Sequence, residues 1–245
     1  MDDLIINTAL LIIVLTIMAN SKFSYVKQFE RSNDLLPHTY IVVRIDGRGF
    51  TSFCDVHGFE KPNDLRGIKL MSECAKEVMK SFNEIVIAYG DSDEFSFAFK
   101  RSAKVFNRRE DKILSCALSL FSSSYVFHWS KYFPDTPIAK IPSFDARIVL
   151  YPSLEDLQSY LSWRQCDCHI NNLYNTTFWA LVQKGGLSQT EAHQRLKGTF
   201  SKDKNEILHR DFGINYNQID EIYKKGTILI RMGDEKKKKE KKKQG

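Results

Sequence analysis

The sequence predicts an α+β fold, a ferredoxin-like domain of order β-α-β-β-α-β followed by a mainly α-helical C-terminal part. Three observations predict it. Short β-branched or aromatic runs alternate with long amphipathic stripes in that order as far as Tyr151. After Pro152 the strand-like runs give way to helix-start signals, Ser153 with Asp156 and Ser188 with Glu191. A hydrophobic content of 42% over 245 residues, with 12% aromatic, is enough for a full buried core.

Tyr40-Ile-Val-Val-Arg-Ile-Asp46 is bounded by Pro37 and Gly47 and reads as a buried first strand ending at Asp46. From Asn63 to Phe82 the residues Ile68, Met71, Ala75, Val78 and Phe82 recur at steps of three and four, the stripe of a helix with Asn63 as its N-cap. Ile85 to Tyr89 and Glu94 to Phe99 are strand-like runs joined by the turn-forming Gly90-Asp91-Ser92-Asp93, which makes a hairpin. Phe95, Phe97 and Phe99 alternate with Ser96 and Ala98, so one face of the second strand is apolar and the other carries Glu94. Asp111 to Trp129 is again helical, with Leu114, Ala117, Leu118, Phe121, Tyr125 and Trp129 on one side, and Ala146 to Tyr151 follows as a strand. This order gives an antiparallel four-stranded sheet covered on one face by two helices, its other face open to substrate. Beyond it, Gly198 stops the helix that begins at Ser188, and Thr227 to Ile230 adds a late strand. The expected division is an apolar extension at 1–17, a catalytic domain at 18–152, a helical part at 153–232 and a lysine-rich disordered tail at 233–245.

Charge says little about the body. The formal excess of +6 equals the seven lysines and one glutamate of Lys236 to Lys243, so the rest is close to neutral. Leu4 to Met18 is apolar, but its roughly fifteen residues fall short of the roughly twenty of a membrane span, and Asp2 and Asp3 stand where a secretory signal carries positive charge. A membrane role is therefore not expected. Five cysteines with no C-x-x-C pair argue against a disulfide framework and a structural zinc site, despite the Cys-Asp-Cys-His run ending at His169. A reducing compartment fits: the cytoplasm first, with the nucleus and the mitochondrion as alternatives.

In this layout Asp46 ends the first strand while Asp93 and Glu94 sit at the hairpin turn, and the first and third strands are neighbours. The acids converge, and converging carboxylates repel unless a cation neutralises them. Mg²⁺ takes oxygen ligands, and two ions about 3.5 to 4 Å apart can activate an attacking hydroxyl and stabilise a leaving oxygen. This is the palm geometry of polymerases and nucleotide cyclases. Gly47 permits close approach of backbone to metal or phosphate, and Arg48 is placed to meet a triphosphate. An Asp-Gly turn and an Asp-Ser-Asp loop are ordinary features singly; their combination at these topological places carries the argument. His169-Ile-Asn-Asn-Leu-Tyr-Asn175 packs one imidazole, three carboxamides and a phenol into seven residues, suited either to RNA contact or to cross-linking helices. Two rival classes remain open from the residues alone: a nucleotide cyclase with the same acids, and an RNA-binding module with the same element order, whose strand aromatics stack on bases.

A series of motifs then resembles one family. Ser21-Lys-Phe-Ser-Tyr-Val, Arg44-Ile-Asp-Gly-Arg-Gly-Phe, Lys61-Pro-Asn-Asp and Tyr89-Gly-Asp-Ser-Asp-Glu-Phe-Ser-Phe are followed by Ser123-Ser-Tyr-Val-Phe, Phe144-Asp-Ala-Arg and Tyr160-Leu-Ser-Trp-Arg-Gln. The His169 to Asn175 string and Lys204-Asn-Glu-Ile-Leu complete a set that resembles, in order over about residues 19–232, the eukaryotic tRNA-histidine guanylyltransferases. The resemblance implies a palm-like domain and addition of guanosine to the 5′ end of histidine tRNA in the 3′ to 5′ direction. ATP would activate the 5′-phosphate, the 3′-hydroxyl of GTP would displace AMP, and two Mg²⁺ would serve both transfers. It implies Asp46, Gly47 and Asp93 as metal ligands, with Glu94 as a third catalytic acid beside them. It implies Asp46, Gly47, Arg48, Gly49, Phe50, Thr51, Lys61, Ser92 and Asp93 as nucleotide-binding residues. His169, Asn171, Asn172, Asn175 and Lys204 fall in regions used for activation or tRNA binding, and the family commonly forms homotetramers. Thr51 departs from the histidine frequent at that place, so a hydroxyl stands where an imidazole would contact nucleotide.

Overall fold

A computed structural model of the chain describes residues 22–231; the apolar extension and the lysine tail lie outside the described residues. Residues 22–33 belong to a separate unit, in which Ser24–Phe29 forms a 3-10 helix with no buried side chain. From Asp34 onward the chain is one unit.

Its centre is a five-stranded antiparallel sheet of β1 (Tyr40–Gly47), β2 (Ile85–Asp91), β3 (Glu94–Phe99), β4 (Phe144–Tyr151) and β5 (Thr227–Ile230), in the order β4-β1-β3-β2-β5. Helices α1 (Phe50–Val56), α2 (Leu65–Ser81) and α3 (Glu110–Tyr132) come between strands, while α4 (Leu154–Gln183), α5 (Gln189–Leu196), α6 (Ser201–Phe212) and α7 (Glu221–Lys225) precede β5. The fold is thus α+β, and the late strand is a fifth member of the sheet.

Alternation along the strands decides the layers. Ile41, Val43, Ile45, Phe95, Phe97 and Phe99 point to one face, where they pack with Leu70, Met71, Cys74 and Val78 of α2 and Phe121 and Tyr125 of α3. Each such side chain contributes about 1.5 to 3 kcal/mol on burial. The N-cap of α2 is Asp64 rather than the expected Asn63. The Asp64 carboxylate accepts from the Arg66 amide at 2.9 Å and the Glu60 amide at 3.0 Å, whereas Asn63 is engaged elsewhere. An ionised carboxylate with two oxygens can satisfy both amides at once.

The second face corrects an expectation. It is not open along its length, because Val42 and Ala98 are buried with Leu157 and Tyr160 of α4, and Ser96 Oγ lies 2.6 Å from the Tyr160 hydroxyl. A sheet whose Val42, Ser96 and Ala98 are small or apolar on that side can accept a helix there. The mid-sheet positions that an RNA-recognition sheet would expose are therefore covered. Helix α4 begins under Ser153, whose Oγ accepts from the Asp156 amide at 3.0 Å, and α5 begins with a full capping box of Ser188 and Glu191. The far part of α4 joins a second core, where Phe178 and Leu181 pack with Ala192, Leu196 and Ile207. One thirty-residue helix, roughly 45 Å long, thus serves both the sheet and the helical part.

Candidate active site

The site forms where β1 ends beside the β2–β3 turn. Asp46 pairs with Glu94 across the β1–β3 ladder, and the Gly47 amide donates to the Asp93 carbonyl at 3.1 Å. Ser92, at φ +53°, takes the left-handed conformation that turns the hairpin. A Cβ on Gly47 would stand 2.7 Å from Asp93 Oδ2 and 2.6 Å from the Phe50 ring, so only glycine lets this carboxylate lie against the strand end. Arg48 donates its amide to Ser143 O at 2.8 Å, and Gly49, at φ +62°, opens α1. The amides of Gly47 and Arg48 are thus engaged, and the unpaired ones are those of the first turn of α1. Phe50 anchors that turn among Phe53, Tyr125 and Phe144.

Burial pushes the Asp93 carboxyl up to about 6, with the charge of Asp46 adding to the rise. Burial likewise pushes Glu94 up to about 7; Arg164 and then Arg44 pull it back, while Asp46 and Asp91 raise it. Asp91 is raised as well, chiefly by burial. Acids desolvated at one place and raised by the charges of Asp46 and Asp91 beside them are the electrostatic condition that a bound cation relieves. Glu94 differs from the aspartates in its partners: its Oε1 lies 3.3 Å from Arg164 Nε and its Oε2 3.7 Å from Arg44 Nε. It sits on the α4 side of the sheet, clamped between two arginines. Neither arginine's Nε makes a hydrogen bond, although both atoms are buried.

These acids open on a cleft of about 650 Å³. Of the residues singled out in the sequence, Asp46, Phe50, Thr51, Ser92, Asp93 and Glu94 line it from the sheet side. Lys61, between α1 and α2, and Asn171, Asn172 and Asn175 of α4 line it as well. Gly47 lies behind Asp93, and Arg48 and Gly49 are exposed at the turn. Asn172 is buried and serves as a tie, donating Nδ2 to Asn63 Oδ1 at 2.9 Å and accepting the Tyr216 hydroxyl at 3.0 Å. Lys61 pairs with Asp55 at 3.0 Å. Like Gly47, Arg48 and Gly49, two further residues do not line the cleft: His169 is exposed on α4 with its ring against Tyr216, and Lys204 is buried, donating to Thr199 O at 2.8 Å.

Arg164 was not singled out by sequence reasoning. Its side chain is only 8% exposed, it pairs with Asp167 as well as Glu94, and its guanidinium lies 4.1 Å from the Trp163 ring centroid. An arginine three residues before an aspartate in a segment expected to be helical was the available signal. Among the described residues one group of three side chains lies close enough to share an ion as it stands, and it is not at the cleft: Glu73, Glu77 and His128 on α2 and α3. Lys76, Lys80 and Lys131 already neutralise it. All five cysteines are free, and Cys166 is exposed while Cys168 is buried, without a metal set around His169. No helix among the described residues is long and apolar enough to cross a membrane.

Coupled aspartates at a sheet end, a glycine that admits them and a cleft of nucleotide size define an enzyme of the nucleotidyltransferase class. Comparison with known proteins narrows this. The profile of the tRNAHis guanylyltransferase family matches residues 23–152, and that of the Thg1 C-terminal domain matches residues 155–245. The tRNA(His) guanylyltransferase of Schizosaccharomyces pombe is 58% identical over 214 residues, 87% of this chain and 82% of that protein. The crystal structure of the Saccharomyces cerevisiae tRNA(His) guanylyltransferase superposes with a TM-score of 0.82 at 51% identity, covering 86% of this chain and 94% of that one. A bacterial Thg1-like protein, solved in complex with ATP, shares the fold at a TM-score of 0.73 and 24% identity, over 86% of this chain and 89% of its own. The chain belongs to the tRNA(His) guanylyltransferase family.

Proposed function

We propose that this chain adds a guanosine to the 5′ end of histidine tRNA by 3′ to 5′ nucleotidyl transfer. The observation that carries the reading is that Asp46 and Asp93 line one cleft, close enough for the charge of Asp46 to raise Asp93, with the Asp93 carboxylate against Gly47. In the first transfer the tRNA 5′-phosphate attacks the α-phosphorus of ATP and pyrophosphate leaves. In the second the 3′-hydroxyl of GTP attacks the activated 5′-phosphorus, loses its proton and displaces AMP; removal of the triphosphate's pyrophosphate completes the addition.

The donor set fits divalent magnesium: hard carboxylate oxygens, that of Asp93 raised by burial and by the charge of Asp46, beside a backbone stripped of side chain. Asp46, Asp93 and the Gly47 carbonyl would hold two such ions, which when bound supply charge stabilisation to the attacking and leaving oxygens. The chain's own residues do the rest. Arg48 and the first turn of α1, through Thr51, with Ser92, bind the triphosphate of GTP, and Phe50 fixes that turn. Lys61, which lines the same cleft, offsets the charge of the second reactant. Glu94, held by Arg44 and Arg164, keeps the β1–β3 pair aligned beside Asp46. Asn171, Asn172 and Asn175 serve tRNA handling, Asn172 by fixing the Lys61–Asp64 loop, with His169 on the outer surface and Lys204 supporting from within.

The same reading takes residues 18–152 as a palm-like catalytic domain and 153–232 as the helical part, assembles the protein as a homotetramer, and places it in the cytoplasm, with the nucleus and mitochondrion as alternatives. The free cysteines suit a reducing compartment. The test is to incubate the full chain with 5′-phosphorylated histidine tRNA lacking the extra guanosine, ATP, labelled GTP and Mg²⁺, beside Asp93→Ala. Label entering the 5′ end with wild type alone supports the reading. No incorporation by folded protein on intact tRNA sinks it and turns attention to cyclase activity on free nucleotides.

A further inference from the structure

Part of the cleft lining has no role in the reaction as described so far. Tyr174 of α4 and His193 of α5 belong to it, beside Trp179. The Tyr174 hydroxyl and His193 Nδ1 share a hydrogen bond of 2.7 Å, and their rings lie 24° from parallel. Tyr174 is braced from behind: its ring is 11° from parallel with Phe178 of the second core, and Lys204 Nζ stands 5.8 Å from its centroid. Lys204 cannot wander, because the Thr199 carbonyl holds it at 2.8 Å. In the same cleft Lys61 Nζ is kept 5.5 Å from the Trp179 centroid and 3.0 Å from Asp55.

A braced, nearly coplanar aromatic pair beside a fixed ammonium is the chemistry that takes a nucleotide: the base stacks and the phosphate meets the cation. A transfer between two substrates also requires the second to be held in the same cleft as the first. Resting on the function proposed above, we propose that Tyr174 and His193 form a stacking platform for the base of the second reactant, a nucleotide bearing a 5′-phosphate that Lys61 meets. Two molecules present that chemistry, the adenosine end of ATP and the 5′-terminal nucleotide of the RNA. The role implied for Lys204 by resemblance then acts through Tyr174, from beneath.

The test measures binding to the full chain in wild type, Tyr174→Phe, Tyr174→Leu and His193→Ala. ATP and 5′-phosphorylated histidine tRNA are each titrated with GTP saturating, and GTP is titrated alone. Tyr174→Leu and His193→Ala are expected to weaken one of the first two about tenfold, the loss of one stacked base, while Tyr174→Phe keeps the ring and most of the affinity. Loss for ATP alone assigns the platform to adenine; loss for the RNA alone assigns it to the terminal nucleotide. Unchanged affinity for both overturns the proposal, as does an equal loss for GTP, which would mean general distortion. His193 is exposed, so its alanine variant keeps the question answerable if Tyr174→Leu fails to fold. Failure of the wild type to transfer guanosine would overturn the underlying function, a result separate from any difference between variants in binding.

Discussion

Gly47 and Asp93 meet as backbone, the Gly47 amide donating to the Asp93 carbonyl at 3.1 Å, with no room for a side chain between the glycine and the Asp93 carboxylate. Gly47→Ala would place a methyl 2.7 Å from Asp93 Oδ2 and must displace it. A misplacement of about 1 Å costs roughly a hundredfold in rate. Single-turnover guanosine transfer should fall by about that factor, and a melting temperature close to wild type would separate this from unfolding.

The raised carboxyl of Asp93 gives a pH dependence in protein stripped of divalent ions. Its ordinary value is 3.8 and burial, then Asp46, takes it to about 6. Between those values the folded state keeps a proton that the unfolded state has released, so unfolding free energy falls as pH rises through that window. Urea titrations in chelator should show this decline, and Asp93→Asn should flatten it. Mg²⁺ should restore stability above the window, by about 2.7 kcal/mol at a hundred times its Kd. A metal-free protein whose stability climbs steadily from pH 4 to 7 would contradict the assignment.

Arg164 and Glu94 form a largely buried pair, with side chains 8% and 15% exposed. Removing one partner strands the other charge, at a cost of about 3 to 5 kcal/mol. Arg164→Met should therefore destabilise strongly, and the double variant with Glu94→Gln should recover part of the loss, as read by denaturant midpoints. Additive effects would mean that the two charges do not depend on one another.

Asn172 satisfies two partners at once. Asn172→Leu leaves the Asn63 side-chain oxygen without this donor and the Tyr216 hydroxyl with only its longer 3.5 Å bond to the His169 carbonyl, an expected loss of about 1 to 3 kcal/mol. Because Asn63 is two residues from Lys61, the KM for ATP should rise as well, while the KM for GTP stays near wild type. Steady-state kinetics with each nucleotide varied in turn would separate the two.

The strands, the α2 and α3 stripes and the hairpin acids were legible because each is written in local periodicity: Tyr40–Asp46 and Glu94–Phe99 alternate, and Met71, Ala75 and Val78 recur at helical spacing. What was not legible depends on contacts between segments far apart. Nothing local in Val42 or Ala98 says that Tyr160 will cover them. Lys204 reads as a solvated base until Thr199 and Tyr174 are seen around it. Arg164, Tyr174 and His193 are brought to the cleft by one long helix and its neighbour, and helical spacing alone reports their packing and not their partners. The neighbouring caps Asn63 and Asp64 illustrate the same limit, since only the tertiary bond to Asn172 decides which of them is free to cap.

The placement of β5 sets a schedule for synthesis. Thr227–Ile230 pairs with Ile87–Gly90, a strand translated well over a hundred residues earlier. Until the late strand emerges, β2 presents a row of unpaired amides and carbonyls, with Val86 exposed on the same strand even in the finished fold. Nascent chains are therefore most prone to pair with one another in that interval, and a ribosome that stalls before residue 227 releases a product with an adhesive edge rather than a partly active enzyme.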